Sequence, residues 1–121
     1  MASTKQPKAR TLRVATCQFA ESFNPRRNGS LMRRYMAKAK RMRADVVHFH
    51  ETCLSGYLAR DGAPALAEVD WDALADEARK IAAEARRLRL WVIFGSSHRL
   101  SGGHKPTNCV YIVGPDGQLV D

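Results

Sequence analysis

Glu51 is the residue around which chemistry could be built. It follows a mostly apolar run, Val46-Val47-His48-Phe49-His50, and leads into Thr52-Cys53-Leu54-Ser55-Gly56-Tyr57. The run reads as a strand, and in an open α/β sheet ligands bind beyond the carboxyl ends of the strands. A carboxylate placed there can serve as a general base when a transferable proton comes within hydrogen-bond reach. Position alone leaves Glu51 a candidate, because a glutamate on a loop is more often solvated or a local acceptor.

The other reactive types are three cysteines and two nearby histidines. Cys17 lies in a predicted strand and Cys109 in a predicted hairpin, where a thiol behaves as a small hydrophobe. Cys53 is the near neighbour of Glu51 and the one thiol that could be imagined as a nucleophile beside it, but closeness in sequence does not guarantee useful geometry. The cysteines are odd in number and lack Cys-x-x-Cys spacing, so they suggest neither a disulfide framework nor a zinc knuckle. Reduced thiols of this kind agree with a cytoplasmic address. His48 and His50 alternate along a strand and would face one side, so a third ligand from the following loop could complete a metal site; without one identified, no metal or other cofactor is assigned. His98 and His104 read as surface loop residues. No Gly-x-Gly-x-x-Gly or P-loop pattern offers a phosphate cradle.

These residues need elements to place them. Leu12 to Phe19 alternates as a strand with two largely apolar faces, as a buried strand requires. Asn24-Pro25 and Asn28-Gly29-Ser30 read as turn and cap chemistry, after which Leu31, Met32, Tyr35, Met36, Ala39 and Met42 recur at helical intervals. Asp70 can cap a second helix from Trp71, with Leu74, Ala78, Ile81, Ala85 and Leu88 on one face. Leu90 to Gly95 and Asn108 to Val113 are apolar strands joined by a loop around Gly102-Gly103 too short for a crossover helix, which predicts an antiparallel hairpin. Gly114-Pro115-Asp116-Gly117 then turns the chain into a further strand starting at Gln118 and still running at the last residue.

The order β-α-β-α-β-β predicts an α/β fold with helices on one face of a sheet whose other face needs a cover that this sequence does not supply. Residues 1–11 read as a flexible basic tail and residues 12–121 as part of a domain cut within a strand. No internal repeat is present.

From Leu12 onward the motifs together resemble the nitrilase superfamily of carbon-nitrogen hydrolases. Ala15-Thr16-Cys17-Gln18-Phe19 is similar to its first strand, and Glu51 with Leu54-Ser55-Gly56-Tyr57 to its Pro-Glu segment followed by Gly-Tyr. Trp91-Val92-Ile93-Phe94-Gly95-Ser96 and the stretch Asn108 to Gly117 are similar to its next core strand, hairpin partner and turn. The resemblance implies the N-terminal part of an αββα sandwich and a Glu-Lys-Cys set, in which a cysteine attacks an amide or nitrile carbon, a glutamate takes its proton and a lysine stabilises the tetrahedral intermediate. It assigns the general base to Glu51, puts the lysine and nucleophilic cysteine beyond Asp121, and makes the isolated chain inactive. Tyr57 becomes a candidate substrate contact or loop-packing aromatic. The sequence departs from the family at His50, where proline is usual, removing a rigid residue just before the base. Homo-oligomers of the complete protein are a further implication.

Composition narrows the alternatives. A chain of 121 residues with 45% apolar content suits one globular domain or a piece of one, and no stretch approaches a membrane span or a signal peptide. The net charge of +8 gathers at Arg26, Arg27, Arg33, Arg34, Lys38, Lys40, Arg41 and Arg43. Most of these suit the wet face of a helix, and without an aromatic stacking platform nucleic acid is an unlikely partner. The competing functional reading is a truncated, non-catalytic α/β module acting through association or through that basic patch.

Overall fold

The structure, a computed structural model, describes residues 10–121, and the expected tail over Met1–Ala9 falls outside them. Seven elements follow in order: β1 Val14–Cys17, α1 Pro25–Arg41, β2 Val46–Phe49, a 3-10 turn Leu66–Glu68, α2 Trp71–Leu88, β3 Trp91–His98 and β4 Thr107–Val113. The sheet order is β1-β2-β3-β4, with β1, β2 and β3 parallel and β4 antiparallel to β3. This is the predicted β-α-β-α-β-β order, and the two short strands with helical crossovers follow from the alternation of apolar period two with period 3.6.

Both helices cover one face. Met32, Met36 and Ala39 of α1 and Leu74, Ile81 and Ala85 of α2 pack with Val47, Phe49, Val92, Phe94 and Val113 into one core. The opposite face carries rows set by the register: Val14, Val46 and Trp91, then Thr16, His48, Ile93 and Ile112, then Gly95 and Val110. Val14, Trp91 and Val110 on it are exposed, so one face of the sheet is open.

Three expectations about elements need correction. The first strand is shorter than Leu12 to Phe19 and is an edge strand open on one face, with Leu12 68% exposed. The first helix starts at Pro25 rather than after Ser30: Asn24 is its N-cap, accepting from the Arg27 backbone N–H, and proline takes the first helical position where its missing N–H costs nothing. Asn28 and Gly29 therefore lie inside α1, where Asn28 is spent on tertiary hydrogen bonds and Gly29 lies against the carboxylate of Glu77. Finally, His98 ends β3 rather than lying in a loop, and its Nδ1 is 2.6 Å from the Tyr111 hydroxyl.

Asp70 caps α2 as expected, accepting from the Ala73 N–H. Glu77, which the apolar spacing did not single out, is the charged residue buried between the helices. It is paired with Arg33 of α1 and with Lys80 at 3.3 Å. After the Gly114 to Gly117 turn the chain pairs back along β4, where the Val120 N–H donates to the Ile112 carbonyl. Among the described residues no helix is long and apolar enough to cross a membrane.

Candidate active site

Glu51 sits two residues past the end of β2, at the carboxyl end of the parallel strands, and is exposed. Its main chain is held against β3 by Gly95. The Leu54 N–H donates to the Gly95 carbonyl at 3.1 Å, and a Cβ at Gly95 would lie 2.4 Å from the Thr52 nitrogen and 2.9 Å from the Glu51 Cα. Thr52 takes a φ of 53°, an uncommon conformation for a residue branched at Cβ, which bends the chain immediately after the glutamate.

The Glu51 carboxylate is oriented by Asn108, whose Nδ2 donates to Oε1 from the start of β4. Together with His48, His50, Gly95 and Val110 these residues line a shallow depression on the open side of the sheet. A carboxylate with one oxygen held by an amide and room in front of it can accept a proton from a group brought into that depression.

The loop after Glu51 is fixed from the other side by α1. The Asn28 side chain is fully buried and its amide is fully used. Oδ1 accepts from the Ser22 N–H at 2.9 Å and from the Ser22 hydroxyl at 3.1 Å, while Nδ2 donates to the carbonyls of Ser22 at 2.7 Å and Leu54 at 2.9 Å. Gly56, the glycine of the Gly-Tyr pair, has φ 74° and no room for a side chain, since a Cβ there would meet the Phe23 ring at 2.7 Å. Tyr57 follows with 45% of its surface exposed, on the outer side of this loop.

His50 lies between β2 and Glu51. Its Nε2 is 3.1 Å from Glu21 Oε2, its ring stands edge-on to Phe19 with centroids 5.0 Å apart, and its Nδ1 is buried with no hydrogen-bond partner among the described residues. Arg60 lies 3.9 Å from the other oxygen of Glu21 and over the Phe23 ring. Burial pushes the Glu21 carboxyl up, but its own backbone N–H, the hydrogen bond with His50 and the charges of His50 and Arg60 outweigh it and hold the pKa below the ordinary value.

The cysteines stand apart from this chemistry. Cys53 points into the core, donating to the Gly95 carbonyl at 3.4 Å beside the Met32 sulfur, and burial pushes its thiol up to about 12. It is therefore no substitute nucleophile, because the thiolate is the reactive form. Burial also raises the pKa of Cys17 and Cys109. Among the described residues no group of three His, Cys, Asp or Glu side chains could hold a metal ion, so the third ligand that His48 and His50 would need is not found there.

Asn108, Glu21, Asn28 and the steric role of Gly95 are what sequence reasoning missed. A polar asparagine opening an otherwise apolar strand was the one available signal for Asn108. Nothing along the chain pointed to a pairing with Glu51 across 57 residues.

The family profile for carbon-nitrogen hydrolases matches residues 13–121, and the chain belongs to that family. No curated protein matches it in sequence. Among solved structures, the NitN amidase from Nesterenkonia sp. AN1 superposes with a TM-score of 0.76 at 18% identity, over 92% of this chain and 42% of that one. The same amidase in complex with butyramide gives 0.76 at 17% identity, over 90% and 41%. A form with the acetamide moiety of fluoroacetamide added at the active-site cysteine gives 0.79 at 16%, over 95% and 43%. The chain thus spans less than half the length of the solved structures it matches.

Proposed function

We propose that residues 12–121 form the N-terminal part of a hydrolase acting on a non-peptide carbon–nitrogen bond of a small amide or nitrile, with Glu51 as general base. The observation that carries this reading is the Glu51 carboxylate, held by Asn108 at the carboxyl ends of the parallel strands and facing an open depression. The lysine and nucleophilic cysteine of the Glu-Lys-Cys set belong to segments following Asp121. The Nesterenkonia amidase, with butyramide bound in one structure and its active-site cysteine modified in another, favours an amide over a nitrile. Tyr57, exposed on the loop after Glu51, is assigned a substrate contact, and the complete protein is read as a cytoplasmic homo-oligomer.

In the chemistry proposed, Glu51 accepts the proton of the attacking thiol, and Asn108 keeps the carboxylate turned toward it. Such base catalysis contributes roughly 10²–10⁴-fold. The test is ammonia release from a short aliphatic amide by the full-length gene product. Turnover should fall by about 10³-fold in Glu51→Gln, and the isolated 121-residue chain should show none. Unchanged turnover in Glu51→Gln would overturn the reading.

A further inference from the structure

The backbone of Glu51 is clamped from two sides. On the β3 side, Gly95 holds Thr52 and Leu54 through a close approach and a main-chain hydrogen bond. On the β1 side the chain arrives at Glu51 through His50, a residue with two free backbone dihedrals where proline would have had one.

What restrains His50 is its side chain. The side chain is largely buried, with 19% of its surface exposed, and its ring stands edge-on to Phe19. With Nδ1 unpartnered, its single polar anchor among the described residues is the carboxylate of Glu21, from the loop between β1 and α1. Glu21 is steadied in turn by Arg60, whose guanidinium rests on the Phe23 ring. A buried imidazole with one hydrogen bond loses its orientation when that bond is removed, because no second partner takes over.

We infer that His50 is a positioning residue for Glu51: the Glu21–His50 contact fixes the peptide preceding the base by a tertiary hydrogen bond, doing what a proline ring would do by covalent geometry. This rests on the reading of Glu51 as the base. Neither Glu21 nor His50 touches the reacting atoms in this scheme, and their effect reaches turnover through the placement of one carboxylate. A displacement of about 1 Å at a catalytic group can cost on the order of 100-fold in rate.

The experiment uses the full-length gene product and a short aliphatic amide. His50→Ala is expected to lower kcat by about 10- to 100-fold with KM within about 2-fold, since placement of the base matters mainly in the transition state. His50→Pro should return kcat to within about 3-fold of the parent. Glu21→Ala should lower kcat in the parent but not in the His50→Pro background, because the contact it breaks no longer exists there. A purely structural role for Glu21 would cost the same in both backgrounds, and that result overturns the inference, as does parental kcat in His50→Ala. Should His50→Ala fail to fold, the Glu21→Ala pair of measurements decides alone. Glu51→Gln runs beside them: full turnover in that variant removes the base reading itself, whereas loss of turnover there with no response at Glu21 or His50 removes only the inference.

Discussion

The peptide nitrogen of Thr52 lies 2.4 Å from the point where a β-carbon on Gly95 would sit. The loop carrying Glu51 therefore crosses β3 at a place where only a hydrogen fits, and the height of Glu51 above the sheet is set by the absence of a side chain on the neighbouring strand.

Replacing Gly95 by alanine should destabilise the chain by about 3 kcal/mol, because the clash is with backbone that cannot rotate away. In an ordinary strand the same change would help slightly, by removing glycine's excess freedom in the unfolded state. Urea unfolding of Gly95→Ala reads the sign directly, and a stabilised variant would show that the loop does not lie against β3.

Asn108→Ala tests whether the carboxylate needs its partner. The residue is exposed, so stability should move by less than about 0.5 kcal/mol. In the full-length protein kcat/KM should nevertheless drop about 10-fold, as the carboxylate loses its fixed orientation. Equal activity with and without the amide would make Asn108 a bystander.

Asn28→Ala removes a buried amide that satisfies Ser22 and Leu54 together. Leaving those groups unpaired should cost about 3 kcal/mol, visible as a lower urea midpoint with an unchanged slope. A loss below 1 kcal/mol would mean that water replaces the side chain.

Cys53 makes a prediction about pH. Its thiol titrates near 12 in the folded chain against an ordinary value of 9.0, so the unfolded chain loses the proton first. Stability from this group is complete below pH 9 and declines above it, by about 1.4 kcal/mol per pH unit until the folded thiol ionises. Cys53→Ala should remove that part of the alkaline slope. At pH 8, alkylation of Cys53 in the folded protein should be on the order of 10³ slower than in urea.

The element order, the hairpin and its turn, the Asp70 cap and Glu51 as a candidate were legible in the sequence because each depends on neighbours a few residues away. Apolar period, capping side chains and turn glycines act locally, and the motifs that resemble the family are local strings of the same kind. The start of α1 was misplaced for a related reason. Asn28 and Gly29 have the local chemistry of a turn, and only their tertiary partners, Leu54 and Glu77, make them helix residues.

What only the tertiary structure decided is everything that depends on distant residues meeting. The Asn108 amide reaches Glu51 across the hairpin, Glu21 reaches His50 across two strand ends, and Cys53 turns inward although it is two residues from Glu51. A linear sequence carries the types and periods of side chains. Which of them converge is fixed by the strand register and by how closely β3 lets a loop approach, and those are properties of the packed sheet.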